Sequence, residues 1–252
     1  MNTSRMLLVA SAISVSLVGC STGWPQARLA TYLDTSPSPQ EVAAQVVQQG
    51  VSQAGLVVIN DTSAADSAPG LSPESLNSIK NHVQGRLAKA VPMTLIGLTT
   101  PHVHTPPVDT AALLQAAKDQ GLNYLVLAVV SSTEIEVPDR LPLQGTLSQA
   151  GIRGLLVGYR AENYALAELA FVDVETGQPL LQADGQAWAS LERLDVPLES
   201  NLYPVVRRDL EFPPIYPTKE EHAHDVLRAV ASSDAINQAV MHFKQSWDQA
   251  KG

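Results

Sequence analysis

Two histidine pairs, His102-Val103-His104 and His222-Ala223-His224, combine residue type and spacing in a way that suits chemistry. In an extended backbone, residues two apart point the same way, so His102 and His104 could share a metal ion through their imidazoles. The second pair falls at the start of an expected helix, where that spacing puts side chains on different faces, with Glu220, Glu221 and Asp225 nearby. Metal binding requires the pairs to meet in space; the plainer reading is exposed loop and helix-end histidines. Glu134, Glu136 and Asp139 could pair for acid-base work, but carboxylates beside prolines read more simply as a solvated loop. Asp173, beside an expected turn, reads as a hydrogen-bonding group of that turn. No G-x-S-x-G, G-x-x-x-x-G-K-[ST] or H-E-x-x-H pattern is present. The expectation is a chain that is not an enzyme and holds no cofactor.

A different chemistry is written into residues 201–219, where Tyr203-Pro204, Phe212-Pro213-Pro214 and Tyr216-Pro217 surround Arg207-Arg208. Proline has already stiffened such a backbone, so its aromatics lose little entropy on docking, and aromatics and arginine dominate binding hot spots. Tyr203, Arg207, Arg208, Phe212 and Tyr216 are therefore the candidate partner-binding set. The competing reading packs these aromatics on their own domain.

The single cysteine sits in Leu17-Val18-Gly19-Cys20, after Arg5 and an apolar run from Met6 to Val18. That run is about thirteen residues, shorter than the roughly 20 needed to cross a bilayer and fitting the core of a secretory signal. The tetrad resembles the lipobox of bacterial lipoprotein precursors. The resemblance implies that residues 1–19 are a signal peptide and that Cys20 becomes the first residue, carrying diacylglycerol and an N-linked acyl chain such as palmitate. Ser21, where an aspartate is absent, implies sorting to the outer membrane, facing the periplasm. Residues 20–39 then read as a lipidated tether and residues 40–252 as one periplasmic domain. The net charge of -9 argues against nucleic acid. With the thiol consumed by lipid, stability must come from packing.

The elements that would position these residues follow from periodicity. Residues 40–53 read as a helix ended by Gly55, and Leu56-Val57-Val58-Ile59-Asn60 as a strand buried on both faces. Residues 61–70 read as a surface loop. Ser72, Pro73 and Glu74 open a helix whose Leu76, Ile79, Val83 and Leu87 form one apolar stripe. A second buried strand is expected over 93–98. Asp109 caps a helix through Gln120, with Ala112, Leu113, Ala116 and Ala117 inward and Gly121 at its end. The very apolar run 125–130 belongs at the sheet centre. Residues 134–154 read as an irregular excursion, 155–159 as a returning strand, and 164–174 with 179–191 as a hairpin turning at Gly177. Prolines bar helix and central strand from 201–219. Two helices, 220–231 and 234–250, close the chain, the second with Ile236, Val240, Phe243 and Trp247 as its stripe. The class is α/β: a mixed sheet in two or three layers, with parallel strands from helical crossovers, an antiparallel hairpin and a closing helix.

Residues 116–127, Ala-Ala-Lys-Asp-Gln-Gly-Leu-Asn-Tyr-Leu-Val-Leu, resemble the helix, glycine turn and strand of the curli-secretion lipoprotein superfamily, which includes lipoprotein activators of peptidoglycan synthases. The fold of that superfamily is similar to the amino-terminal domain of the Tol translocation protein. Residues 169–177, Leu-Ala-Phe-Val-Asp-Val-Glu-Thr-Gly, are similar to the strand and turn that close its hairpin. A curli-type pore would need long alternating membrane strands, which the prolines and carboxylates of 134–154 argue against. The resemblance implies a non-enzymatic outer-membrane lipoprotein that serves as a binding or scaffold module of an envelope machine, in cell-wall synthesis or secretion. Its partner would be an envelope protein or further copies of itself. The alternative is a periplasmic metal-binding protein using the histidine pairs.

Overall fold

The structure, a computed structural model, describes residues 23–33, 40–98, 109–142, 155–195, 203–208 and 212–252. Cys20, His102 and His104 lie outside the described residues. Six strands form one mixed sheet in the order β2-β1-β3-β4-β5-β6. These are β1 Gln53–Asp61, β2 Thr94–Gly97, β3 Tyr124–Pro142, β4 Leu155–Asp173, β5 Pro179–Leu194 and β6 Val205–Arg207. β1 pairs parallel with both β2 and β3, as helical crossovers require, while β3, β4, β5 and β6 pair antiparallel. The expected α/β class with a mixed sheet is what the chain adopts.

One face of the sheet carries α2 Gln40–Gln49, α3 Pro73–Ala90 and α5 Ala223–Lys251; the other carries α1 Leu29–Tyr32 and α4 Thr110–Asp119. Val126, Ala128 and Val130 face the first layer and Leu125, Leu127 and Val129 the second. This double burial explains why 125–130 is apolar without alternation. Ser72 accepts from the Ser75 amide and Asp109 from the Ala111 amide, so both expected caps form. Gly121 and Gly177 take positive φ, +70° and +72°.

Several boundaries differ from expectation. α2 ends at Gln49, because Gly50, not Gly55, takes the left-handed conformation (φ +85°); Gly55 lies within β1. Asp61, expected in a surface loop, is the buried last residue of β1. β2 is an edge strand with partly exposed residues rather than a buried one. Ala112 is exposed; Leu113 and Ala117, with Leu114 packed beside them, bring α4 onto the sheet.

The larger corrections are two. Residues 134–142, expected to be irregular, continue β3, paired in register with β4 as far as Pro142 opposite Leu155. Carboxylates and Pro138 are compatible with this arm because β1 ends at Asp61 opposite Ser131, so beyond it β3 has a ladder partner on one side only, β4. Both faces of the arm carry charge, Glu134 and Glu136 on one, Asp139 and Arg160 on the other. Second, the two closing helices are one 29-residue helix, α5. Ser232 and Ser233 do not break it: Ser232 is buried, and the Ser233 hydroxyl donates to the Ala229 carbonyl one turn back. Ile236, Val240, Phe243 and Trp247 all dock on the sheet as expected. α5 approaches β5 so closely that a Cβ on Gly185 would lie 2.3 Å from both the Ala235 carbonyl oxygen and the Ala239 nitrogen. Among the described residues, no helix is long and apolar enough to cross a membrane.

Candidate functional site

A cleft of about 670 Å³ opens where β6 stops. β6 pairs only with Ser190, Leu191 and Glu192, after which the chain leaves the sheet through Arg208. The cleft straddles the sheet edge there: Arg160, Glu162, Trp188, Glu192 and Arg207 come from one face, Asp234, Asn237 and Gln238 from α5, and Arg208 and Phe212 from the segment after β6. Three of the five expected partner-binding residues, Arg207, Arg208 and Phe212, thus meet in one concavity. Tyr203 and Tyr216 lie outside its lining. Tyr203 is half-buried, and burial, with the Glu192 charge behind it, pushes its phenol up; Tyr216 is exposed. The short edge strand, closed by a bridge between Val206 and Ile215, holds this segment against the domain.

Each arginine of the cleft meets a carboxylate. Arg207 Nε lies 3.3 Å from Glu192 Oε2, Arg160 reaches Asp139 at 3.0 Å and Glu192 at 3.7 Å, and Arg208 meets Asp234 at 3.1 Å. The Tyr164 hydroxyl donates to Glu162 at 2.6 Å, and that bond holds the phenol's own proton on more tightly. With its arginines engaged by carboxylates, the cleft offers no uncommitted cation for an anion among the described residues, and Glu162 is held only by the Tyr164 hydroxyl. The cleft offers aromatic surface instead: Trp188 is 47% and Phe212 51% exposed, and Phe212 is backed by the Arg208 guanidinium 4.3 Å from its ring centre.

The opposite end of the same sheet face is covered by residues 23–33, which were expected to be tether. The Thr133 hydroxyl donates to the Gly23 carbonyl, and Trp24 stands edge-on to Tyr164 at 5.1 Å. Leu29, Tyr32 and Leu33 are buried. Two carboxylates fasten the segment. Asp61 accepts from Arg28 Nε at 3.0 Å, the Tyr32 hydroxyl at 3.0 Å, and both the amide and the hydroxyl of Ser63. Burial opposes its ionisation, but these donors outweigh burial and hold it below the ordinary aspartate range. Glu168 Oε2 accepts the Arg28 amide at 2.6 Å and the Leu29 amide at 3.1 Å. Here burial prevails, helped by the neighbouring Asp184 charge, and the carboxyl is pushed up.

The histidine pair at 222–224 does not assemble a site. His222 is exposed beside Glu221, whereas His224 Nδ1 lies 2.6 Å from Glu134, which Arg228 also meets at 3.2 Å. Burial alone would push Glu134 up; the His224 hydrogen bond and the Arg228 charge overcome it and leave the carboxyl below its usual range. Glu136 pairs instead with Arg193. The three carboxylates considered for acid-base work are therefore each tied to a separate cation. Among the described residues, no group of three or more His, Cys, Asp or Glu gathers as a metal would require. Asp173 accepts from the Glu175 and Thr176 amides and is a turn-former, as expected.

Trp188 and the fastening of residues 23–33 were not anticipated. Trp188 had a signal: it sits between buried Ala187 and Ala189, so in an alternating strand a large indole points away from the core. The Asp61 and Glu168 contacts had none, because they join residues 33 and 140 positions apart.

No family model matches the chain, and no curated protein does. Solved structures with a similar outline include the PelC dodecamer from Paraburkholderia phytofirmans, 11% identical, covering 78% of this chain and 89% of that one at a TM-score of 0.33. Another is the minor lipoprotein from Acinetobacter baumannii, 9% identical, with 77% and 93% covered and a TM-score of 0.31. A third, the hypothetical protein CT253 from Chlamydia trachomatis, is 11% identical, with 79% and 98% covered and a TM-score of 0.33. Likenesses at such scores bear on neither function nor partner.

Proposed function

We propose that this chain is a lipid-anchored, non-enzymatic binding module of the bacterial envelope, held at the outer membrane through Cys20 and facing the periplasm, and that it captures a protein partner at the Trp188–Phe212 cleft. The observation that carries the reading is the cleft itself: two large half-exposed aromatics in a concavity whose arginines are each held by a carboxylate. Such a surface suits a binding hot spot better than a reaction centre. The Leu17-Val18-Gly19-Cys20 tetrad supports the anchor. Anchor and cleft would be neighbours. Covalent geometry lets three residues reach at most about 10 Å, so Cys20 lies no farther than that from Gly23. Trp24 packs on Tyr164, and Tyr164 is the cross-strand partner of Trp188. The resemblance to curli-secretion and synthase-activator lipoproteins favours a partner in secretion or cell-wall synthesis.

The test has two arms. Labelled palmitate should enter the wild-type chain and not the Cys20→Ser variant; equal labelling, or none in either, would remove the anchor. In-cell crosslinking of the full lipoprotein should capture one dominant envelope protein, and the double variant Trp188→Ala, Phe212→Ala should lose it while remaining folded. Undiminished capture by that variant would sink the binding assignment.

A further inference from the structure

Among the described residues, the outer edge of β5 has no ladder partner along much of its length. β5 runs from Pro179 to Leu194, yet β6 covers only Ser190, Leu191 and Glu192. In an antiparallel strand, alternate residues turn both backbone groups to the same neighbour. Ser190 and Glu192 lie opposite Arg207 and Val205, and His242 Nδ1–H donates to the Asp184 carbonyl at 2.7 Å from outside the sheet. This phase places the amides and carbonyls of Gln186 and Trp188 on the outer edge, where no ladder partner meets them among the described residues. Unpaired edge groups are the template for strand addition. The edge is also recessed: the cleft at Trp188 and a second of about 290 Å³, lined by Pro25, Leu29, Glu168 and Asp184, both include Gln186.

Resting on the binding role proposed above, we infer that the partner enters as an extended segment lying along β5 from Trp188 to Asp184, antiparallel to β5 and in line with β6, with an apolar side chain facing Trp188 and a basic one four residues later facing Asp184. The direction follows from β6, whose path the incoming strand continues. The side-chain chemistry follows from the edge. Trp188 offers exposed indole, while Asp184 is exposed and forms no salt bridge among the described residues. Its negative charge also bears on Glu168 across the strand pair, so a cation there relieves a like-charge contact. His242, already on the Asp184 carbonyl, closes the ladder at that end.

Gln186→Pro isolates the idea, because it removes one outward N–H and leaves the β4 ladder intact, a position where an edge strand tolerates proline. A photo-crosslinking phenylalanine derivative at Gln238, on the α5 wall of the cleft, would report occupancy in the full lipoprotein in its own cells. Crosslinks should converge on one partner segment with an apolar residue followed four positions later by lysine or arginine. Gln186→Pro and Asp184→Lys should each cut the yield about tenfold, the effect of losing roughly 1.4 kcal/mol. In the captured complex, the Gln186 and Trp188 amides should exchange at least about tenfold more slowly than in the free chain, a readout independent of whether Gln186→Pro folds. Scattered crosslinks, none at all, or yields unchanged in both variants would overturn strand addition. If Trp188→Ala with Phe212→Ala abolishes capture while the two edge variants keep it, the binding role survives and the edge assignment falls. If none of these variants changes capture, both fall.

Discussion

The two faces of the sheet are covered by different means. On one, α5 runs its whole length over β4 and β5, burying Leu227, Ile236, Phe243 and Trp247 in a continuous apolar layer with α2 and α3. On the other, α4 covers the parallel half and residues 23–33 the centre, held by Asp61 and Glu168 as much as by Leu29 and Tyr32. Beyond Trp24 no described element covers that face, and there the cleft lies. Apolar area responds little to pH, whereas carboxylate contacts do. On the first face such contacts gather at the start of α5, where Glu134 meets His224 and Arg228, and Asp225 meets Ser72 and Ser75, while on the second they fasten the cover itself and leave the exposed aromatics beside it.

The largest break in this contrast is Phe243→Ala. The side chain is wholly buried, so the variant should lose about 3–5 kcal/mol of unfolding free energy in urea, nearly independent of pH. Asp61→Ala should cost less, about 1–3 kcal/mol, and act locally, leaving Tyr32 without its acceptor and exposing residues 23–33 to protease while the α5 face stays protected. Its sign with pH is set by the lowered carboxyl. The wild-type advantage is full above the ordinary aspartate range and fades as pH falls through the lowered value. Equal protease resistance of the two proteins would show that the segment is held by apolar contacts alone.

Glu168→Gln should have the smallest effect and the opposite sign. Both amides go to one oxygen, which a glutamine carbonyl can replace, and the charge disfavoured by burial is removed. A raised folded-state carboxyl contributes stability below its unfolded value that is lost as pH rises through the raised one. The variant should therefore match wild type in acid and gain up to about 1 kcal/mol near neutral pH in the same urea titration. A loss at neutral pH would mean that the anionic hydrogen bonds outweigh desolvation.

Much of the fold was legible residue by residue. The caps at Ser72 and Asp109, the glycine after α4, the hairpin at Gly177 and the central 125–130 run all depend on local conformation or on periodicity within one element. What misled was also local. Pro138 and the carboxylates of 134–142 argued against a strand whose pairing with β4 decides the matter, and Ser232-Ser233 suggested a break that packing on β5 overrides. The site was half legible. Arg207, Arg208 and Phe212 announced themselves as a proline-stiffened cluster, while Arg160, Trp188 and Asp234 reach the same cleft from distant elements.

By itself, then, the sequence determined the α/β class, the alternation of helix and strand from α2 to β3, the stripe that docks α5, and the lipobox-like tetrad, because each is a matter of residue type and short-range spacing. Tertiary structure alone decided that residues 23–33 lie on the sheet, that the histidine pair at 222–224 is split between solvent and Glu134, and that among the described residues β6 pairs with only three residues of β5. These outcomes turn on contacts between residues far apart in the chain, where burial and pairing across the fold outweigh local preference.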